Sequence, residues 1–141
     1  MCFFITAYTQ EDFCTETFIK TCSRFEIMEE SFPADHIVPL SRGFIFTGNY
    51  CDCDSPIGSK RQDPPEVLSN YVAFFKSLPY CENSILLLKH WYSGNVETES
   101  ICNLKNERIH VDELDERFLL NIEDDVLYEI EYSLIDGGIH T

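Results

Sequence analysis

Between Asp63 and Pro79 the chain brackets a single amphipathic helix, and no other feature constrains the fold as much. Asp63 can accept from the free amides of a first turn, Pro64 suits the first helical position, and Glu66 sits where a capping box places its acid. Val67, Leu68, Tyr71, Val72, Phe75 and Leu78 then form one apolar stripe, which has to be buried against another element. The flanking segments supply that element. Residues 43–50 and 84–92 are rich in aromatic, β-branched and leucine side chains, so the stripe is expected to lie on a sheet.

The same reading extends in both directions. Residues 2–8 read as a buried strand, Thr9 and Asp12 as a capping box, and Cys14, Phe18, Cys22 and Phe25 as one face of a helix over 10–23. A second strand is expected to begin at Phe25–Met28. Residues 31–41, with Pro33 and Pro39, read as an extended connection, and residues 51–63 as a loop. Beyond Tyr92, Gly94-Asn95 suggests a turn into a strand over 96–102, and residues 103–106 a second turn into 108–111. Asp112 and Asp115 are placed to cap a short helix ending near Phe118. Val126, Tyr128, Ile130 and Tyr132 alternate with Leu127, Glu129 and Glu131, the pattern of an antiparallel strand with one wet face.

The expected class is α+β: a mixed or mainly antiparallel sheet packed by two main helices. Its front half follows the ferredoxin-like order β-α-β-β-α-β, and antiparallel strands follow at the C-terminus. No repeat or linker divides the chain, so residues 1–141 are read as a single domain.

Hydrophobic residues make up 44% of the chain, with 11 Phe and 7 Tyr, enough for a core despite a net charge of -15. No apolar stretch approaches the length of about 18 residues that a membrane span needs, and no basic region precedes the apolar N-terminus. A soluble, cytoplasmic protein without a membrane partner is expected. Residues 1–70 carry 11 acids and 5 bases, residues 71–141 carry 14 and 5, and within 97–136 the ratio reaches 13 to 3. A field of that sign repels phosphate backbones, which argues against nucleic acid as a partner and suits a basic protein.

Seven cysteines is an odd number, and in a chain read as cytoplasmic they are expected to be thiols rather than disulfides. Cys14, Cys22, Cys81 and Cys102 read as small buried or half-buried hydrophobes. The turn Cys51-Asp52-Cys53-Asp54 differs. Residues two apart in extended backbone point the same way, so Cys51 and Cys53 can present half of a tetrahedral zinc site. The remaining ligands would come from elsewhere in the chain, with Cys2 and His36 the leading choices and Cys81, Cys102, His90, His110 and His140 the others. Zinc is the cofactor that such a set would take. The acids Asp52 and Asp54 disfavour a reactive thiolate, so a redox role ranks lower.

Cys2 invites a second chemistry. If Met1 is removed, the new α-amine can act as general base for its own thiol, making Cys2 the nucleophile of an amide hydrolase. In the pair Met1-Cys2 the chain resembles glutamine amidotransferases with an N-terminal cysteine. Those continue with a glycine where this chain has Phe3. Whether Cys2 joins the 51–53 turn depends on topology. Antiparallel neighbouring strands would bring them together, whereas parallel strands would separate them by a strand length, roughly 20 Å. The element order is read as favouring the parallel case.

Two further groups stand out. Gly58-Ser59-Lys60-Arg61 is a cationic, amide-rich turn able in principle to cradle a phosphate. His90, Trp91, Tyr92 and His110 gather aromatic and imidazole groups near the middle of the chain. An exposed Trp91 would mark a binding surface, and the plainer alternative is a Trp packed under a helix. No nucleotide-binding loop, serine elbow or zinc-protease motif occurs.

The leading functional expectation is an acidic protein-binding or inhibitory module without catalytic activity. In bulk features it is similar to small antitoxins and immunity-like proteins. A zinc-binding protein using Cys51 and Cys53 ranks second, and a thiol-dependent amide hydrolase using Cys2 third.

Overall fold

In the computed structural model a sheet of six strands is built around the first of them. The structure describes residues 2–10, 15–25, 31–39, 41–45, 52–53, 55–60, 65–78, 84–94 and 98–133. The strands are β1 (Cys2–Gln10), β2 (Ser31–Pro33), β3 (Ser41–Ile45), β4 (Ser84–Tyr92), β5 (Lys105–His110) and β6 (Val126–Glu131). The helices are α1 (Thr15–Arg24), α2 (Val67–Ser77) and the short α3 (Glu116–Leu120), which follows a 3-10 turn at Val111–Glu113. The sheet order is β2-β3-β1-β4-β6-β5. Every pairing is antiparallel except β5 with β6.

The front half roughly keeps the expected order β-α-β-β-α-β, but its second strand is Ser31–Pro33, inside the segment read as a connection, and residues 26–28 of the expected strand lie outside the described residues. β1 and β3 are antiparallel neighbours, with Thr6 opposite Ile45 and Gln10 opposite Ser41. The reason lies in the connections. A helical crossover returns the chain so that β2 runs in the direction of β1, and the turn after β2 then reverses it. β3 is therefore opposed to both and slots between them. The parallel relation expected between these strands is corrected accordingly.

Two further expectations change. The C-terminal strands are not all antiparallel: β5 and β6 run parallel, because residues 111–125 cross over through the 3-10 turn and α3. There are three α-helices among the described residues rather than two main ones, the third being a single short turn. Residues 98–102 form no strand, since Glu99 turns its carboxylate back to the Ser93 and Gly94 amides. Thr9 lies inside β1 and so caps no helix, and Asp12 is outside the described residues. Asp63, Pro64 and Pro79 are also outside them. The described part of α2 begins after Glu66, whose side chain makes no capping bond. Asp115 does cap α3, accepting from the Phe118 amide at 2.9 Å, while at the 3-10 turn the His110 ring, not Asp112, is the acceptor.

The alternation of each strand divides the core. On one face Ile5, Ala7, Phe44, Ile85, Leu87 and Ile130 pack under Phe18 and Cys22 of α1 and Leu68, Val72, Phe74 and Phe75 of α2. Tyr128 and Tyr132 extend that face, and the Tyr132 hydroxyl donates to the Phe75 carbonyl at 2.7 Å. On the other face a smaller cluster of Tyr8, Phe32, Ala34 and Leu88 is covered by Ile37, Ile101 and Leu104. Among the described residues no helix is long and apolar enough to cross a membrane.

Candidate functional site at the end of the central strands

Polar and aromatic side chains that the core cannot absorb collect at one end of β1 and β4, where Phe3 faces Trp91 and Phe4 faces His90. Alternation sends Lys89 and Trp91 to the helix-covered face and His90 and Tyr92 to the other.

On the helix-covered face the 52–60 loop meets the sheet. The described pairing of β1 with β3 runs from Thr6 to Gln10. Nearer the start of β1, the Asp52 amide donates to the Phe3 carbonyl at 2.8 Å, and its Oδ2 accepts from the Ile5 amide at 2.8 Å. Asp52 has no exposed surface, whereas Cys53 beside it is exposed. Further along, the Gly58 and Lys60 amides donate to the Leu119 and Leu120 carbonyls, the open end of α3, and the Ser59 amide donates to Pro56. The Gly58, Ser59 and Lys60 amides are thus engaged within the protein, and Arg61 lies outside the described residues.

Lys89 is buried beneath the same loop. Its Nζ donates to the Ile57 and Gly58 carbonyls at 3.4 and 3.5 Å and lies 5.0 Å from the centre of the Phe3 ring. The Phe3 ring in turn meets Trp91 edge-on, with centroids 4.9 Å apart. Trp91 is 45% exposed, one of the two large hydrophobic side chains at the surface among the described residues. It is therefore held on a rigid strand but not covered by a helix.

On the opposite face His90 is bracketed. Its Nδ1 lies 2.5 Å from Asp125 Oδ1 and its Nε2 3.0 Å from Glu99 Oε2, while its ring stands edge-on to Tyr92. Only 14% of the His90 side chain is exposed. Glu99 Oε1 also accepts from the Ser93 amide and hydroxyl and the Gly94 amide. The hydrogen bond from His90, with the Gly94 and Ser93 bonds behind it, holds the Glu99 carboxyl below its ordinary range. Deeper in, Thr6 donates to the Tyr8 hydroxyl at 2.8 Å, and the Tyr8 and Tyr92 hydroxyls are 3.4 Å apart. Burial raises both phenols above the ordinary tyrosine value. An imidazole with both nitrogens engaged has none left to take a proton from a substrate, so this group is suited to fixing structure and charge.

The residues singled out in the sequence fall at different places. Cys2 opens β1 opposite Tyr92, its backbone alone being described, and Cys51 lies outside the described residues. The Asp52–Phe3 hydrogen bond brings the 52–53 turn to the start of β1. His36 sits in the turn between β2 and β3, which pairs toward Thr9 and Gln10 at the far end of β1. That end is about 20 Å away at the usual rise per residue. The His36 Nε2 is enclosed there without a hydrogen-bond partner among the described residues. Cys22 is buried as expected, while Cys102 is exposed; Cys14 and Cys81 are outside the described residues. His110 bonds the Asp112 amide and the Ser133 carbonyl, which gives it a capping role.

Sequence reasoning overlooked Asp52 as a structural group and did not associate Glu99 and Asp125 with His90. The positive φ of 60° at Asp125, favoured by Asp and Asn among non-glycine residues, reflects a tight turn that the Glu123-Asp124-Asp125 run only hints at. Among the described residues no group of three or more His, Cys, Asp and Glu side chains is arranged to hold a metal ion. Compared with protein-family models, curated proteins and solved structures, the chain matches none.

Proposed function

We propose that the chain is a protein-binding module without catalytic activity, regulatory or inhibitory, which docks a basic partner around Trp91. The observation that carries this reading is the exposed, edge-braced Trp91 at the end of a buried strand. A large aromatic that is rigid before binding loses little entropy when covered, which is why Trp is favoured at the energetic centre of interfaces. The acidic excess of residues 97–136 supplies the steering field, with Asp112, Glu113, Asp115, Glu123 and Asp124 all exposed. The same reading treats residues 1–141 as one domain. Its front half is taken as ferredoxin-like, on the strength of the split order β2-β3-β1-β4.

A photocrosslinking residue at position 91 identifies the partner, which is then purified for binding. Trp91→Ala is expected to weaken that complex by on the order of tenfold or more in a variant that still folds cooperatively. The association rate of the wild type is expected to fall as salt rises from low to physiological strength. Equal affinity for wild type and Trp91→Ala would remove Trp91 from the interface, and a rate indifferent to salt would remove the acidic field.

A second reading is supported by the hydrogen bond from the Asp52 amide to the Phe3 carbonyl, one residue from Cys2. A zinc site using Cys51, Cys53 and Cys2 would need the three sulfurs to meet near that contact. His36 lies too far along β1 to complete it, so the fourth ligand would be water or another side chain. The zinc content of wild type should exceed that of a Cys51→Ser, Cys53→Ser double variant. Equal, near-zero metal in both would end this reading. Cys2 as an amide-hydrolase nucleophile depends on removal of Met1, which the intact mass of the protein reports.

A further inference from the structure

The bracketed His90 is a charged node in an unusual place, between a fixed turn and a strap. Asp125 is fixed by the backbone: its amide donates to the Lys89 carbonyl at 2.9 Å and its carbonyl accepts from the Lys105 amide at 3.1 Å. Glu99, by contrast, belongs to residues 98–104, which have no strand pairing before Lys105. That strap nevertheless covers the second face of the sheet, where Ile101 and Leu104 pack against the cluster of Tyr8, Phe32, Ala34 and Leu88. Glu99 ties the strap to β4 through His90 on one oxygen and through Ser93 and Gly94 on the other.

We propose that His90 is a proton-operated clasp, which in its doubly protonated form holds the 98–104 strap closed over the second face. The hydrogen-bond count requires the proton. A neutral imidazole has one N–H and one lone pair, whereas both His90 nitrogens here face carboxylate oxygens, and only the imidazolium donates to both. The groups facing the ring are Asp125 from the turn before β6, Glu99 from the strap and Tyr92 from its own strand. Phe4 stands opposite on β1. The Tyr92 phenol is kept neutral by burial, so the two carboxylates set the local charge. When the ring loses its second proton, one carboxylate is left against a nitrogen lone pair. The backbone-fixed Asp125 keeps its bond and the strap side lets go. At the acid end the depressed Glu99 carboxyl keeps the clasp shut, since the contribution of a lowered carboxyl is lost only as pH falls through its folded value.

The test reads the ring and the strap in one sample. Imidazole nitrogen NMR on the whole protein, with His90 assigned by comparison with His90→Gln, is expected to show both His90 nitrogens protonated wherever the strap exchanges slowly. Amide hydrogen exchange of residues 98–104 is then referred to that of β4, which cancels the ordinary base catalysis of exchange. As the His90 signal titrates, that ratio is expected to rise on the order of tenfold. Glu99→Gln retains a carbonyl oxygen for the Ser93 and Gly94 amides but no charge for the ring, and should leave the ratio flat across the same pH range. This variant carries the test even if His90→Gln fails to fold. A neutral His90 ring while the strap still exchanges slowly, a wild-type ratio that stays flat while His90 titrates, or a Glu99→Gln ratio that rises as in wild type, would each overturn the clasp.

Discussion

Asp52 illustrates how much a single side chain carries in this molecule. Its buried carboxylate accepts the Ile5 amide and so ties the 52–53 turn to β1. Asp52→Ala would leave that buried amide without this acceptor, at a cost of about 1–3 kcal/mol. Asp52→Asn, which keeps an oxygen, should lose less. Urea unfolding compares the three, and an Ala variant as stable as wild type would show that the bond contributes nothing. The sequence displayed this residue but not its role. Side-chain alternation separates Cys53 from Asp52, since neighbours in extended backbone point to opposite faces. Periodicity alone does not say which face is inward, and the aspartate, not the exposed Cys53, turned in. His90 was similarly noticed without its partners. Glu99 is reached through a turn and Asp125 through a crossover, so neither contact leaves a local spacing to read.

At the scale of elements, β2 was read as a connection because it contains Pro33. Proline is tolerated on an edge strand, and β2 is the edge beside β3. Phe32 of β2 then lies across Gly43 of β3, where a Cβ would come within 2.7 Å of the Phe32 ring and 3.2 Å of Tyr8. Gly43→Ala should therefore destabilise the protein by about 1–3 kcal/mol, as overpacking does. Adding Phe32→Leu should recover part of the loss in thermal or denaturant unfolding, because the shorter side chain vacates the contact. Full stability of Gly43→Ala would mean that β2 moves away at no cost. The strong strands 2–8, 84–92 and 126–132 were legible because each combines apolar residues with a matching period. The helix stripe ending near Leu78 was legible for the same reason. The parallel pairing of β5 was not, since its exposed Lys105-Asn106-Glu107-Arg108 run has no apolar face and its direction is set by the crossover that follows.

For the whole molecule, element order was readable in outline and strand direction was not. Helical and extended periods are local, whereas direction depends on which strands become neighbours, a property of the assembled sheet. The same distinction has a consequence in time. β1 is made before every other described element, yet it lies inside the sheet, and its longer partner is β4, with Cys2 opposite Tyr92 and Thr9 opposite Ile85. A growing chain that has not yet released residues 84–92 from the ribosome presents β1 with one side unpaired. Its apolar residues Phe3, Phe4 and Ile5 must wait through the making of α1, β2, β3 and α2. Loop closure over such a span is slow compared with hairpin formation, so the sheet closes late and almost at once. During synthesis β1 is thus an unpaired, aggregation-prone edge until β4 is made.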